Sequence, residues 1–299
     1  MPVVKSWTRP WLITVASLAA VALTACGNPR LTAAPETTAP PVTTIAGSVP
    51  RPDHVVIVLM ENEDQSRVVG APDAPYLTSL AERGADFTNS HGIAHPSQGN
   101  YVALLAGKTL GVTNDSCPQD LGDQPNLVRQ LLDHNVTVTG YFEGMPSAGY
   151  AGCKSGDYYR KHNPLADFSN IPATASVPFS TFPTDYSQLP AVSFVVPNLC
   201  NDMHSCSVRT GDTWMKNNLS GYADWASTHN SLLIVTFDED SGSDDNLIPT
   251  IVYGPMMTPG TNDQRIDHYS ILRTVEEMYG LPPLGYATSA QPLTGWKVR

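Results

Sequence analysis

The stretch His54–Met60 reads HVVIVLM and is continuously apolar after its first residue. A run of this length, rich in β-branched side chains, is typical of a strand buried on both faces. Four later segments have the same character: Val136–Phe142, Val192–Val196, Leu232–Phe237 and Thr250–Tyr253. The sequence therefore predicts a central sheet built around His54–Met60.

Helical patterns lie between these apolar runs, at Ala74–Arg83, Tyr101–Ala106, Leu127–Asp133, Thr213–Thr228 and His268–Tyr279. Strands that alternate with helices predict an α/β fold, with a mostly parallel sheet covered by helices on both faces. Ligands of such sheets bind beyond the carboxyl ends of the strands. The polar residues that directly follow each strand are therefore the first candidates for chemistry.

The composition excludes two classes of protein. Hydrophobic residues make up 41% of the 299 residues, enough for a packed core and too many for a mainly disordered chain. The 17 Lys and Arg against 28 Asp and Glu give a net charge of −11. A nucleic-acid partner is not expected, because such a partner requires a basic face.

The N-terminus predicts export. Lys5 and Arg9 precede the uncharged apolar run Trp11–Ala25, which is the pattern of a signal peptide over residues 1–26. Leu23–Cys26, followed by glycine, resembles the lipobox of bacterial lipoproteins, in which the cysteine is lipidated. The small residues Ala20–Ala22 offer an ordinary cleavage site as the alternative. We expect a secreted protein or a cell-surface lipoprotein, held at the outer face of the cytoplasmic membrane if Cys26 is modified.

Residues 27–52 are rich in Thr, Ala and Pro and lack large apolar side chains, so they are predicted to form a linker. The folded domain is then expected over residues 53–299, in which no internal repeat is visible.

Four cysteines remain if Cys26 is the anchor, and an even number in an exported chain predicts two disulfides with three possible pairings. The short separation of Cys200 and Cys206 favours a local bridge, which leaves Cys117 to pair with Cys153. A thiolate metal site is the rival interpretation, but no Cys-x-x-Cys spacing supports it.

Two acidic clusters follow predicted strands: Glu61-Asn62-Glu63-Asp64 after His54–Met60, and Asp238-Glu239-Asp240 after Leu232–Phe237. Carboxylates at one edge of a sheet repel one another unless a cation lies between them. Oxygen ligands of this kind suit a hard divalent ion. The alternative is a pair of solvated turns that cap helices.

The segment His91–Tyr101, HGIAHPSQGNY, places Pro96 and Ser97 at the start of a helical pattern. The free N–H groups and the dipole of a helix start favour an anion there. Ser97 is therefore either a helix cap or a nucleophile.

Six motifs in chain order resemble one family. They are Glu61-Asn62, His95-Pro96-Ser97-x-x-Asn100-Tyr101, Lys161-His162-Asn163-Pro164, Asn201-Asp202-Met203-His204, Asp238-Glu239-Asp240 and Asp267-His268. The pattern is similar to that of the bacterial phosphoesterase family of acid phosphatases and phospholipases C, within the alkaline phosphatase superfamily. The chain also resembles the secreted acid phosphatases of mycobacteria. Gly99 departs from the family, which usually has proline at that position.

The resemblance implies a role for each matching residue, and an alkaline-phosphatase-like fold. Ser97 would be the nucleophile, and His204 and His162 would contact substrate and could protonate the leaving group. Asn100 would contact phosphate, and Lys161 and His95 are further candidates for the substrate site. One divalent metal of open identity would be held by Glu61, Asn62, Asp238 and Glu239. Asp202, as an orienting residue for His204 or a metal ligand, and His268 are weaker candidates.

The expected function is that of an exported acid phosphatase, which hydrolyses small phosphate monoesters through a phosphoserine at a metal-assisted site. Phospholipases C of the family are usually longer, and the chain's ending soon after Leu281–Leu284 fits a phosphomonoesterase. Two alternatives stay open: a phospholipase C or phosphodiesterase with the same nucleophile, and a surface lipoprotein that binds an anionic ligand without turnover.

Overall fold

The computed structural model describes residues 49–297. The predicted signal peptide, the lipidation candidate Cys26 and the linker as far as residue 48 lie outside the described residues. Between residues 49 and 297, no helix has both the length and the apolar character that crossing a membrane requires.

A central sheet of eight strands organises the domain, in the order β11-β2-β10-β9-β1-β8-β4-β7. Two further two-stranded sheets pair β12 with β3 and β5 with β6. The strands are β1 (His54–Met60), β2 (Ala85–Phe87), β3 (Ser90–His91), β4 (Val138–Phe142), β5 (Lys154–Ser155), β6 (Tyr158–Tyr159), β7 (Ser176–Pro178), β8 (Val192–Val196), β9 (Ser231–Phe237), β10 (Thr250–Tyr253), β11 (Gly260–Asn262) and β12 (Ile266–Asp267).

The five strands from β9 to β7 are parallel, as the apolar runs predict, and β1 lies at their centre, with Val55 opposite both Val192 and Leu232. The exception is β10, which is antiparallel to β9 and to β2. No helix lies in the connection 238–249, and strands joined without a crossover helix run antiparallel. That connection carries the second acidic cluster.

Helices cover both faces of the sheet, which confirms the predicted α/β layers. The α-helices are α1 (Gln65–Val68), α2 (Pro75–Arg83), α3 (Gln98–Ala106), α4 (Leu127–Asp133), α5 (Val208–Ala226) and α6 (His268–Tyr279). Alternate residues of β1 enter different cores: Ile57 packs in the layer of α3, α4 and α6, and Val58 in the layer of α2 and α5. Burial of both faces explains why the run 54–60 is apolar at successive positions.

Some element boundaries differ from the sequence prediction. The helix α3 begins at Gln98 instead of Tyr101, and α5 begins at Val208 because the Ser207 side chain caps it by accepting the N–H of Thr210. The three-residue strands β2, β7 and β11 were not predicted, because segments this short contain no measurable periodicity.

Helix α6 buries a carboxylic acid outside the acidic clusters. This residue is Glu276, whose side chain is fully buried. One of its carboxyl oxygens accepts the N–H of Leu284 at 2.7 Å. The other oxygen has no partner among the described residues. Burial raises the pKa of Glu276 to about 7, so folding favours the protonated acid.

Replacing Glu276 with glutamine is expected to stabilise the protein at neutral pH and not at acid pH. The folded-state pKa lies above the unfolded value, so the folded state binds the extra proton and wild-type stability falls as pH rises between those two values. At about 1.4 kcal/mol per pKa unit, Glu276→Gln should gain roughly 1–3 kcal/mol at pH 7.5 and almost nothing at pH 4.5. Thermal unfolding at both pH values measures the difference. Glu277→Gln, on the same helix but partly exposed, is the matched control, and an equal gain at both pH values would contradict the account.

Candidate active site

The two acidic clusters meet at the carboxyl edge of the sheet. Met60 pairs with Phe237 in register, so the next residues, Glu61 and Asp238, are neighbours, and both are fully buried. The N–H of Asp238 donates to the Met60 carbonyl at 3.0 Å, which continues the β-ladder by one step. The structure therefore brings together the carboxylates that the sequence placed at one edge.

Ser97 lies at the start of α3 and faces both clusters. Its hydroxyl Oγ is 3.0 Å from Oε2 of Glu61 and 3.0 Å from Oε1 of Glu239. A hydroxyl has one proton and can donate to only one of these carboxylates at a time. Ser97 makes no side-chain capping bond, so the interpretation of Ser97 as a helix cap is wrong.

His95 holds Glu239 beside the serine. Its Nδ1 donates to Oε2 of Glu239 at 2.5 Å, and its Nε2 donates to the Ser243 carbonyl at 3.1 Å. Burial alone lowers the pKa of His95, but these acceptors outweigh it and raise the pKa above the usual histidine value. Because His95 bonds Oε2, the other Glu239 oxygen, Oε1, faces Ser97.

His162 lies behind Glu61. Its Nε2 is 3.0 Å from Oε1 of Glu61, its Nδ1 is 3.2 Å from Oδ2 of Asp202, and its ring stacks on Tyr101 at 5.2 Å. The Tyr101 hydroxyl also donates to Oε1 of Glu61 at 2.5 Å. Burial would lower the pKa of His162, but the charge of Glu61 and the hydrogen bond to Asp202 raise it to about 10.

The position of His162 differs from the predicted role at the substrate. The ring is buried and each nitrogen faces a carboxylate, so it balances the charge of Glu61 and Asp202 from behind. Burial raises the pKa of Asp202 to about 6, against the opposing effect of His162. Glu61 has a lowered pKa, because attraction to His162 outweighs the opposing effect of burial.

His204 and Lys161 form a second, more accessible pair. The Lys161 ammonium donates to Oδ2 of Asp115 at 2.8 Å and lies 3.2 Å from Nε2 of His204. Asp202 supports this loop, since its Oδ1 accepts the N–H of His204 at 2.8 Å. Burial, aided by the charge of Lys161, lowers the pKa of His204.

Asn100 is not among the residues that face Ser97. Its side-chain oxygen accepts the N–H groups of Ile93 and Ala94, at 2.8 and 2.9 Å, and its amide donates to the Ala94 carbonyl at 2.8 Å. The side chain is fully buried, and its oxygen and its nitrogen both bond within the loop, so it shapes the loop before Ser97. We therefore leave Asn100 out of the proposed phosphate contacts.

An open pocket of about 480 Å³ lies beside Glu239, and Asn62 contributes to its wall. Asn62 has a positive φ of 56°, and its N–H donates to Oδ1 of Asp238 at 3.2 Å. The rest of the wall consists of His95, Pro96, Glu239, Asp240, Ser241 and Gly242.

His268 lies beneath the acidic edge and is fully buried. Its Nε2 donates to the backbone carbonyl of Asp238 at 2.7 Å, so it holds the end of β9 in place. Its Nδ1 has no partner among the described residues. Burial lowers the pKa of His268.

The residues present fit a divalent cation. Oδ2 of Asp238 is buried and has no partner among residues 49–297. Burial, together with the charges of Glu61 and Glu239, raises the pKa of Asp238 well above its usual value. Burial raises the pKa of Glu239 too, although its hydrogen bonds from His95 and Ser97 oppose the rise. Burying several carboxylates together is energetically unfavourable without a counter-charge, and such clusters are typical of a metal site.

A second carboxylate group also has ligand-like spacing, since atoms of Glu61, His162 and Asp202 lie within 4.8 Å of one another. There the imidazole separates the two carboxylates and turns one nitrogen toward each. The imidazole already lies between these two carboxylates, so we favour Glu61, Asp238 and Glu239 as the cation site.

Two residues of the site were missed in the sequence. Tyr101 belongs to the serine motif, but its hydroxyl was given no role. Asp115 lies in a polar loop and follows no strand, so only its contacts with Lys161 and with the N–H of Gln98 in three dimensions show its place.

Both predicted disulfides are present, Cys117–Cys153 and Cys200–Cys206. The second closes a small ring that contains Asp202 and His204. The carbonyl of Asp202 also accepts the N–H of Glu61 at 2.9 Å, so the ring is attached to the end of β1.

The two bridges are expected to differ in what they support. Loop-closure entropy gives roughly 2 kcal/mol for the short ring and roughly 4 kcal/mol for the longer loop. We expect Cys117→Ser/Cys153→Ser to lower the melting temperature more. Cys200→Ser/Cys206→Ser should lower kcat more, by about tenfold or greater, because His204 loses its fixed position. Melting curves and kcat measured below both transitions test this, and an unchanged kcat in the second variant would contradict it.

The fold is an α/β fold similar to that of solved structures in the alkaline phosphatase superfamily. A crystal structure of an alkaline phosphatase superfamily protein from Vibrio parahaemolyticus matches with a TM-score of 0.56 at 14% identity, over 83% of this chain and 72% of that chain. The lipoteichoic acid synthase LtaP from Listeria monocytogenes matches with a TM-score of 0.56 at 12% identity, over 80% and 76%. At these identities the likeness concerns the fold alone.

Residues 71–282 match the model of the phosphoesterase family, and the chain belongs to that family. It is 49% identical over 257 residues to a phosphatidylinositol-3-phosphatase of Mycobacterium tuberculosis, covering 85% of this chain and 86% of that protein. It is 34% identical over 252 residues to a phosphate-repressible acid phosphatase of Penicillium chrysogenum, covering 78% of this chain and 60% of the fungal protein. The expected family is thereby confirmed.

Proposed function

We propose that this phosphoesterase is an exported acid phosphatase that hydrolyses phosphate monoesters through a phosphoserine on Ser97. The observation that carries the proposal is the position of Ser97 Oγ, 3.0 Å from both Glu61 and Glu239 at a helix start that it does not cap. A hydroxyl within reach of two bases can be deprotonated for attack. The N–H groups of the helix start favour a bound phosphate.

The proposed reaction has two steps. In the first, a bond forms between Ser97 Oγ and phosphorus while the bond from phosphorus to the ester oxygen breaks. The serine proton passes to Glu61 or Glu239. His204, in the protonated form that acid pH produces against its lowered pKa, gives a proton to the departing alkoxide. In the second step water gives a proton to His204 and attacks the phosphoserine. The carboxyl group that took the serine proton returns it to Oγ as the bond from Oγ to phosphorus breaks, which releases inorganic phosphate and restores the hydroxyl.

Glu61, Asn62, Asp238 and Glu239 would hold one divalent cation, and the buried, unpartnered Oδ2 of Asp238 supports this assignment. When bound, such an ion stabilises negative charge on the serine and phosphoryl oxygens. His95 orients Glu239, and His162 and Tyr101 orient Glu61.

Lys161 and His204 are the proposed substrate contacts on the accessible side of the site. Lys161 is mostly buried and its charge is held by one carboxylate, which suits it to a phosphoryl oxygen.

A small phosphorylated alcohol is the substrate class we propose, since the pocket beside Glu239 is open and most of the side chains that line it are polar. The relative named as a phosphatidylinositol-3-phosphatase makes phosphoinositide headgroups a specific candidate. Nothing in the acidic composition favours nucleic acid.

Export is supported by the two disulfides, which persist in oxidising compartments. Anchoring at the outer face of the cytoplasmic membrane through a lipid on Cys26 is part of the same proposal.

The test compares the purified protein on p-nitrophenyl phosphate, bis(p-nitrophenyl) phosphate and a short-chain phosphatidylinositol phosphate. Each assay is run with a chelator and then with Mg²⁺, Mn²⁺ or Ca²⁺ restored. We expect rapid hydrolysis of the monoesters and slow hydrolysis of the diester. Turnover of the diester alone would favour a phosphodiesterase, and no turnover with any metal would favour a ligand-binding protein.

A further inference from the structure

Asp115 joins two parts of the site that are distant in the sequence. One carboxyl oxygen, Oδ1, accepts the N–H of Gln98 at 3.0 Å, and the other, Oδ2, accepts the Lys161 ammonium at 2.8 Å. Gln98 directly follows Ser97, and Lys161 lies 3.2 Å from His204. The carboxylate thus touches both the helix that presents the serine and the cation that faces the histidine.

The first contact fixes the start of the helix that presents Ser97. A serine at this position ordinarily caps its own helix by accepting the N–H of the second or third helical residue. Ser97 makes no such bond, and Asp115 accepts the N–H of Gln98, the first helical residue, from outside the helix. Asp115 thus holds the backbone next to Ser97, whose hydroxyl faces Glu61 and Glu239.

The second contact gives the lysine a fixed position. A lysine ammonium sits on a flexible four-carbon stem and has no preferred direction of its own. A carboxylate beside a phosphate site repels the phosphate, so electrostatic assistance does not explain Asp115. We infer instead that Asp115 holds Lys161 next to His204.

The loop that carries Asp115 is itself held in place. Cys117, two residues further on, is bonded to Cys153, and the Gln119 carbonyl accepts a guanidinium N–H of Arg160 at 3.1 Å. These links attach the loop to the segment that contains Lys161. Asp115 is therefore positioned by the fold instead of by the lysine alone.

We propose that Asp115 is a positioning residue: it holds the first N–H of the helix that follows Ser97 and holds Lys161 for the phosphoryl group. This inference rests on the proposed phosphatase function and adds a residue that acts through Ser97 and Lys161 without touching substrate.

Three variants separate the two contacts: Asp115→Asn, Asp115→Ala and Lys161→Met, together with the double variant Asp115→Asn/Lys161→Met. The amide in Asp115→Asn keeps an acceptor for Gln98 but loses the ion pair. We expect it to raise KM for p-nitrophenyl phosphate about tenfold and to change kcat less than about threefold. Asp115→Ala loses both contacts and should also lower kcat, by about tenfold or more.

The double variant decides whether Asp115 acts through Lys161. If Asp115 acts on binding through Lys161, adding Asp115→Asn to Lys161→Met should raise KM no further. Asp123→Asn, an exposed change of equal charge in the same loop, should leave kcat and KM unchanged. A wild-type KM in Asp115→Asn, or a full tenfold increase on top of Lys161→Met, would overturn the proposal.

Calorimetric binding of inorganic phosphate, in a buffer containing divalent metal, supplies a readout that does not depend on turnover. Asp115→Asn should weaken this binding about tenfold relative to wild type. If wild type binds phosphate but hydrolyses no monoester, the proposed function fails while this test of Asp115 still applies. If wild type binds no phosphate, or both proteins bind it equally, the Asp115 proposal fails.

Discussion

Replacing Ser97 with alanine is expected to abolish monoester hydrolysis while leaving the fold intact. Loss of a nucleophile that acts together with its bases typically lowers kcat by about 10⁴-fold to 10⁶-fold. Ser97 has no capping role, and Asp115 still holds the first turn of α3, so the melting temperature should stay within a few degrees of wild type. Steady-state kinetics and a thermal melt on the same preparation measure both quantities.

Ser193 provides the matched control. It is also fully buried, it lies in β8 beside β1, and its hydroxyl has no partner among the described residues. Ser193→Ala should leave kcat unchanged, since the hydroxyl touches no site residue. A Ser97→Ala protein with a near-normal rate would remove Ser97 from the reaction.

Removing the divalent cation is expected to stop turnover and to destabilise the protein. The carboxylates of Glu61, Asp238 and Glu239 repel one another in the absence of a counter-charge, and this repulsion adds to the effect of burial in raising the pKa of Asp238. An ion present at about 100 times its Kd stabilises a folded protein by about 2.7 kcal/mol. For a domain of this size that corresponds to roughly 5–10 °C in melting temperature.

Asp238→Asn should reduce the loss of stability that follows metal removal. It removes one negative charge from the cluster, so the metal-free variant should melt at a higher temperature than metal-free wild type. Added metal should then raise its melting temperature much less than it does for wild type. Asp224→Asn, an exposed carboxylate on α5, is the control and should respond like wild type. If the chelator changes neither the rate nor the melting temperature of wild type, the cation site is refuted.

The fold could be predicted largely because its signals are strong and local. Burial of β1 on both faces requires successive apolar residues, and that requirement is visible in the sequence 54–60. The antiparallel direction of β10 was not predicted, since strand direction depends on the helix-free connection 238–249 and not on the strand's own residues.

The residues of the candidate site also differ in how well the sequence predicts them. Glu61 and Asp238 could be paired in advance because residues after adjacent parallel strands must meet at one edge. The motif located His162 and Asn100 but not their orientation: His162 faces two carboxylates, and Asn100 bonds to its own loop. Asp115 was absent from the prediction because its contacts join residues that are distant in the chain.

The most direct measurement of the central claim is the chemical identity of the reaction intermediate. Wild-type protein is mixed with excess p-nitrophenyl phosphate in the presence of metal, quenched in acid within one turnover, digested, and analysed by peptide mass spectrometry. We expect one phosphoryl group, attached to the peptide that contains Ser97 and absent from Ser97→Ala. A phosphoryl group on any other residue, or hydrolysis at full rate with no phosphorylated peptide at any quench time, would contradict the account.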